Sequence, residues 1–100
     1  MDTATLCVQA DHPSLAGHFP GQPIVPAVVI LDAVFAEAQR CRPALIATRI
    51  RHAKFPRPLR PGATAEILLE WRERTLHFTV TANGEVHAIG SLEFDEEPSP

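Results

Sequence analysis

The sequence predicts an α+β domain in which one central helix packs on an antiparallel sheet of about five strands. Three observations carry this. The stretch after Pro26, AVVILDAVFAEAQRC, has helical length and no internal Gly or Pro. Before it, residues 13–26 are punctuated by Pro13, Gly17, Pro20, Gly21, Pro23 and Pro26, which sustain neither helix nor central strand. After it, the pattern changes to four strand-like runs separated by turn signals. One helix and a run of antiparallel strands make an α+β domain.

The elements follow in order. Thr5 to Gln9 alternates and is rich in strand formers, so a first strand is expected at about residues 4–9, ending at Asp11-His12-Pro13. The helix is expected over about 26–40. Pro26 suits its first turn, where the missing N–H has no intrahelical partner. Val28, Val29, Ile30, Leu31, Val34 and Phe35 cover more than one stripe, so the helix is expected to be wrapped by other structure, with Asp32 inside the apolar stretch. Leu45 to Phe55, Thr64 to Trp71, Leu76 to Thr81 and Glu85 to Phe94 read as strands. Residues 56–62, PRPLRPG, form a stiff connection between the first two. Asn83-Gly84 signals a type I′ hairpin between the last two. Residues 1–95 are expected to form one domain, and the acidic, Pro-rich residues 96–100 a frayed tail.

At 100 residues the chain supports a single core, so any roomy cleft calls for a second subunit. Apolar residues at 45% and charged residues at 21% are ordinary for a globular protein. No apolar run approaches the ~20 residues of a membrane-spanning helix, and Met1-Asp2-Thr3-Ala4 lacks the basic-then-apolar pattern of a signal peptide. A cytoplasmic protein with no membrane association is expected. Cys7 and Cys41 have neither metal-ligand spacing nor the density of a disulfide scaffold, and read as ordinary thiols. The net charge of −3 conceals an uneven distribution. Ala38 to Ala65 contains no acidic residue, yet holds Arg40, Arg42, Arg49, Arg51, Lys54, Arg57 and Arg60 of the nine basic residues. Such a stretch is either a solvated face or a surface for an acidic partner. Nucleic acid is the weaker reading, because no binding motif or aromatic stacking pattern accompanies the charges.

The run Gly17-His18-Phe19-Pro20-Gly21-Gln22-Pro23-Ile24-Val25-Pro26-Ala27-Val28-Val29-Ile30-Leu31-Asp32 resembles the loop and helix start of the β-hydroxyacyl-(acyl-carrier-protein) dehydratases of FabZ/FabA type, which read G-H-F-P-G-x-P-I-x-P-G-V-x-x-x-E there. Lys54-Phe55-Pro56-Arg57-Pro58-Leu59-Arg60-Pro61-Gly62 is similar to the family's later F-x-x-P-V-x-P-G segment. The two stand in the family's order, so the resemblance covers nearly the whole chain. It implies the hot-dog fold. There are three departures. Asp32 stands where the family has Glu, Ala27 where it has Gly, and the family's Pro-His-Arg-Tyr-Pro-Phe run has no counterpart. In this the chain resembles the shortened dehydratases of aryl-polyene pigment clusters.

The implied reaction eliminates water from a 3-hydroxyacyl thioester to give a trans-2-enoyl thioester. One group must take the proton beside the carbonyl and another must give one to the departing hydroxyl. An imidazole, with a reference pKa of ~6.5, serves as a neutral base, whereas a carboxyl at ~3.9 holds a proton only if burial raises it. His18 as base and Asp32 as acid, buried by its apolar helix, are therefore the expected catalytic pair. Negative charge on the thioester oxygen needs donors, and the free backbone N–H groups of Ala27 and Val28 at the helix start supply them. The resemblance adds Gly17, Phe19 and Pro26 to the substrate-binding set. It also implies a homodimer in which His and acid at one site come from different subunits. No cofactor and no metal are expected.

Arg51, Lys54, Arg57 and Arg60 are the expected docking residues for an acidic acyl carrier protein, coenzyme A being the other possible carrier. His12, His52, His77 and His87 stand in no motif and are expected to be structural or exposed. Two other functions compete. A hot-dog thioesterase would use Asp32 but has less need of the G-H-F-P-G loop, and a catalytically weak acyl-binding subunit would fit the changes at residues 27 and 32.

Overall fold

The structure is a computed structural model that describes residues 2–8 and 24–96. The elements are β1 (Asp2–Cys7), α1 (Ala27–Cys41), β2 (Leu45–Lys54), β3 (Thr64–Arg72), β4 (Thr75–Ala82) and β5 (Glu85–Glu96). The strands form one sheet in the order β1-β3-β4-β5-β2, with every neighbouring pair antiparallel. Strands β3, β4 and β5 make a meander at the centre. The edges come from the two segments that flank the helix in sequence.

Alternation along the central strands sets which face carries the core. Ile67 and Leu69 on β3, Leu76, Phe78 and Val80 on β4, and Ala88, Leu92 and Phe94 on β5 are buried. They meet Ile30, Val34 and Ala38 of α1, spaced four apart on one helical stripe, to form a single cluster. Fully burying each of Ile30 and Val34 contributes about 1.5–3 kcal/mol, which is what seats the helix on the sheet. The helix stops at Arg42, whose N–H donates to the Ala38 carbonyl oxygen at 2.9 Å before Pro43 ends the ladder. Both central residues of the β4–β5 turn have positive φ, Asn83 at 53° and Gly84 at 75°, as a type I′ hairpin requires.

Several boundaries and environments differ from the expectations. Strand β1 runs over Asp2–Cys7 rather than 4–9, because its pairing with β3 extends back to Asp2 opposite Leu69. Pro26 is the N-cap in an extended conformation, with φ −60° and ψ 147°, one residue before the first turn. Strand β5 continues through Asp95 and Glu96, which Arg74 holds at 2.9 Å each. Among the described residues, the helix is not wrapped by its own chain. Its sheet-facing stripe is buried, but Val28, Asp32 and Ala36 on the opposite side are exposed. Nearly every residue of β2 is exposed as well, Ile46 and Ile50 at 45% each. Two bulges, between Ala47 and Arg49 and between Ile50 and His52, bend this edge strand.

Candidate active site

Among the described residues, no side chain caps the start of α1. Pro26 has no N–H and makes no side-chain cap, and the first turn contains no acidic residue. The Pro26 carbonyl oxygen accepts from the N–H of Val29 at 3.0 Å and of Ile30 at 3.4 Å. The N–H groups of Ala27 and Val28 lie too early in the helix for an intrahelical acceptor. They therefore sit at the positive end of an uncompensated helix dipole.

The segment leading into this turn is tied down from the β2–β3 connection. Val25 donates its N–H to the Leu59 carbonyl oxygen at 2.7 Å, and Gly62 donates to Val8 at 2.7 Å. Val25 and Leu59 are both buried. Between the helix start and the connection runs an apolar groove of about 350 Å³, lined by Ile24, Val25, Ala27, Ile30, Phe55 and Leu59 among others. The described parts of the two segments that resemble the family pattern, residues 24–32 and 54–62, are thereby brought together.

Asp32 follows Val28 by four residues on the same side of α1. Its expected burial does not occur among the described residues: Asp32 is exposed, flanked along the helix by Val28 at 60% exposure and by Ala36. The physical reason is angular. The apolar neighbours in sequence point to the sheet, whereas residue 32 is turned about 160–200° from the Ile30 and Val34 stripe by the 3.6-residue helical period. His18, Gly17 and Phe19 lie outside the described residues.

The four expected docking residues are exposed. Arg51 and Lys54 stand on β2, Arg57 and Arg60 on the connection. Arg51 Nε lies 3.5 Å from Glu93, and Arg57 Nε lies 3.3 Å from Glu85. Exposed pairs like these contribute about 0–1 kcal/mol and leave the guanidiniums available. Lys54 and Arg60 have no carboxylate partner among the described residues. Also among the described residues, no group of three or more His, Cys, Asp or Glu side chains is placed to hold a metal ion. No helix there is long and apolar enough to cross a membrane.

Sequence reasoning missed the groove residues Ile24, Val25 and Leu59, and the role of two histidines. His87 places Nδ1 3.1 Å from the Pro58 carbonyl oxygen and 3.3 Å from that of Arg57. His52 bonds Ser91, the one buried polar residue among those described, across β2 and β5 at 3.1 Å. Both histidines link segments distant along the chain.

One helix on a five-strand antiparallel sheet, with a bare helix N-terminus facing an apolar groove, defines a hot-dog-fold protein. Residues 2–91 match the ApeI-like family, described as ApeI dehydratase, and the chain belongs to that family. It is similar to a 3-hydroxyacyl-(acyl-carrier-protein) dehydratase FabZ of Chlamydia trachomatis serovar L2, with 34% identity over 74 residues, 64% of this chain and 48% of the relative. The corresponding FabZ of Acetivibrio thermocellus is 32% identical over 102 residues, 87% of this chain and 68% of the relative. The chain thus spans about half to two thirds of the length of the curated relatives it matches. Among solved structures, the dehydratase heterocomplex ApeI:P from Xenorhabdus doucetiae superposes with a TM-score of 0.84 at 28% identity, covering 92% of this chain and 84% of that one.

Proposed function

We propose that this protein is a (3R)-hydroxyacyl-thioester dehydratase that acts on substrates carried by an acyl carrier protein, in fatty-acid or polyene-type biosynthesis. The observation that supports the reading is the start of α1, which has no side-chain cap and whose residues Pro26 and Ala27 line an apolar groove one turn before a carboxyl group. The thioester carbonyl oxygen sits on those amides. His18 takes the proton from the carbon beside the carbonyl, and the negative charge that develops on the oxygen is held by the helix start. The C–O bond to the 3-hydroxyl then breaks as Asp32 delivers its proton to the departing oxygen. Water and a trans-2-enoyl thioester result. No cofactor enters, because no electron leaves the substrate.

In this reading a second copy of the chain covers Asp32. The apolar stripe around Asp32 and the exposed Ile46 and Ile50 of edge strand β2 support a homodimer with the sites at its interface. Arg51, Lys54, Arg57 and Arg60 receive the acidic carrier protein. The relatives named above as acyl-carrier-protein dehydratases support this partner.

Incubation with a panel of 3-hydroxyacyl carrier-protein thioesters, read by mass, tests the function. Loss of 18 mass units on the order of one water per acyl group is the expected result. A free 3-hydroxy acid would make the protein a thioesterase, and unchanged ligand an acyl-binding subunit.

A further inference from the structure

Two grooves share the Arg57-Pro58-Leu59 segment as a common wall. One is the apolar groove at the start of α1. The other, about 390 Å³, lies between the connection and the β4–β5 hairpin, and is completed by Arg60, Ala63, Ala82, Asn83, Glu85 and His87.

His87 fixes the shape of this second pocket. Both groups facing its Nδ1, the Arg57 and Pro58 carbonyl oxygens, are acceptors, so Nδ1 carries the ring proton. The imidazole therefore fastens the connection to β5 and holds in place the backbone that bears Arg57 and, three residues on, Arg60. Glu85 compensates Arg57 only in part, at 3.3 Å between exposed groups. Arg60 has no carboxylate partner among the described residues. Two guanidiniums thus meet one carboxylate, leaving a pocket of net positive charge beside an apolar groove. Arg51 and Lys54 are not among the residues that line it.

A planar guanidinium offers paired donors that match the oxygens of a phosphate. We propose that this pocket is a phosphate subsite, in which Arg57 and Arg60 hold the phosphate of the pantetheine arm that carries the acyl thioester. The inference rests on the reading that the substrate is a carried thioester. The arm of a carrier protein and coenzyme A share this phosphate. The thioester end of the arm then extends past Pro58 and Leu59 into the apolar groove.

The test compares 3-hydroxybutanoyl thioesters of pantetheine, phosphopantetheine, coenzyme A and carrier protein on the intact protein. The phosphopantetheine thioester is expected to show a KM about tenfold below that of the pantetheine thioester at similar kcat, with coenzyme A sharing the gain. Arg60→Ala should shrink that ratio towards one. Glu85→Gln, which removes the carboxylate competing for Arg57, should widen it. Equal KM values for pantetheine and phosphopantetheine thioesters overturn the proposal. So does a gain confined to the intact carrier protein, since the arginines would then meet the protein's surface and not the phosphate. Calorimetric binding of phosphopantetheine against pantetheine needs no turnover, so a protein that dehydrates nothing would still confirm or sink the phosphate subsite.

Discussion

The carbonyl oxygen of His52 occupies the space that a Cβ on Gly90 would fill, and the Phe78 ring closes the same position at 2.8 Å. Edge strand β2 approaches β5 this closely because residue 90 has no side chain. Gly90→Ala must push β2 outward or tilt Phe78 out of the core. We expect a loss of about 1–3 kcal/mol, read as a lower urea midpoint at unchanged slope. A midpoint equal to that of the parent protein would show that β2 has room to move.

The position of β2 matters because its exposed side faces the partner in the proposed assembly. Ile50 is 45% exposed on an edge strand, a combination that soluble monomers avoid. The protein should therefore be a dimer by light scattering at micromolar concentration, burying on the order of 1,200 Å² or more. Ile50→Asp should give a folded monomer without activity. A parent protein that is monodisperse and monomeric would remove the second copy from the mechanism.

Much of this fold is legible in the sequence, and the illegible parts share a cause. Strands β3 and β4 alternate strictly, β5 does so apart from the run Gly90-Ser91-Leu92, and Asn83-Gly84 specifies its own turn, so most of their register follows from local chemistry. The β3–β4 turn carries no such signal. It is closed by Glu73 at φ 58°, a non-glycine residue held left-handed by the pairing on either side. Asp32 is surrounded by apolar residues in sequence, but burial depends on helical angle, and the side it faces belongs to no residue of its own chain among those described. The His87 contact joins residues 29 apart. Nothing near residue 87 announces a carbonyl partner so distant along the chain.

The two thiols should differ in reactivity. Cys7 is exposed, whereas Cys41 is only partly exposed at the end of α1. Burial pushes the Cys41 thiol above its ordinary range, and the nearby Asp2 carboxylate pushes the same way. Only the thiolate reacts, so iodoacetamide at pH 8 should label Cys7 well before Cys41, as read by peptide mass. The stability sign follows. The folded state keeps the Cys41 proton to higher pH than the unfolded chain, so this contribution is present below the unfolded pKa and is lost as pH rises through the folded one. Faster labelling of Cys41 would reverse the assignment.

Carrier-protein binding should weaken with salt. Steering by exposed charges falls as the Debye length drops from ~10 Å at 0.1 M to ~3 Å at 1 M. Arg51→Glu with Lys54→Glu reverses two charges on β2 without touching the groove. This variant should raise the KM for the carrier-linked substrate and flatten its dependence on salt. If neither salt nor the double reversal alters binding, the basic side of β2 is a solvated surface.

The acid/base pair bears most directly on the proposed function. His18→Ala removes the base and should lower dehydration by at least the ~10²-fold of a positioned acid/base group, with the melting temperature unchanged. Asp32→Asn keeps the size but cannot release a proton, and should be about as damaging. Because Asp32 is exposed, Asp32→Asn leaves the described core undisturbed. Lost activity in this variant would therefore report chemistry and not folding. Asp32→Glu separates two geometries. If the partner's surface leaves room beside Val28 for one more methylene, the family's longer acid should reach the hydroxyl and activity should survive or rise. If that surface closes tightly over Asp32, the added methylene should cost activity through crowding. Near-normal water elimination by both His18→Ala and Asp32→Asn would show that other residues carry the reaction.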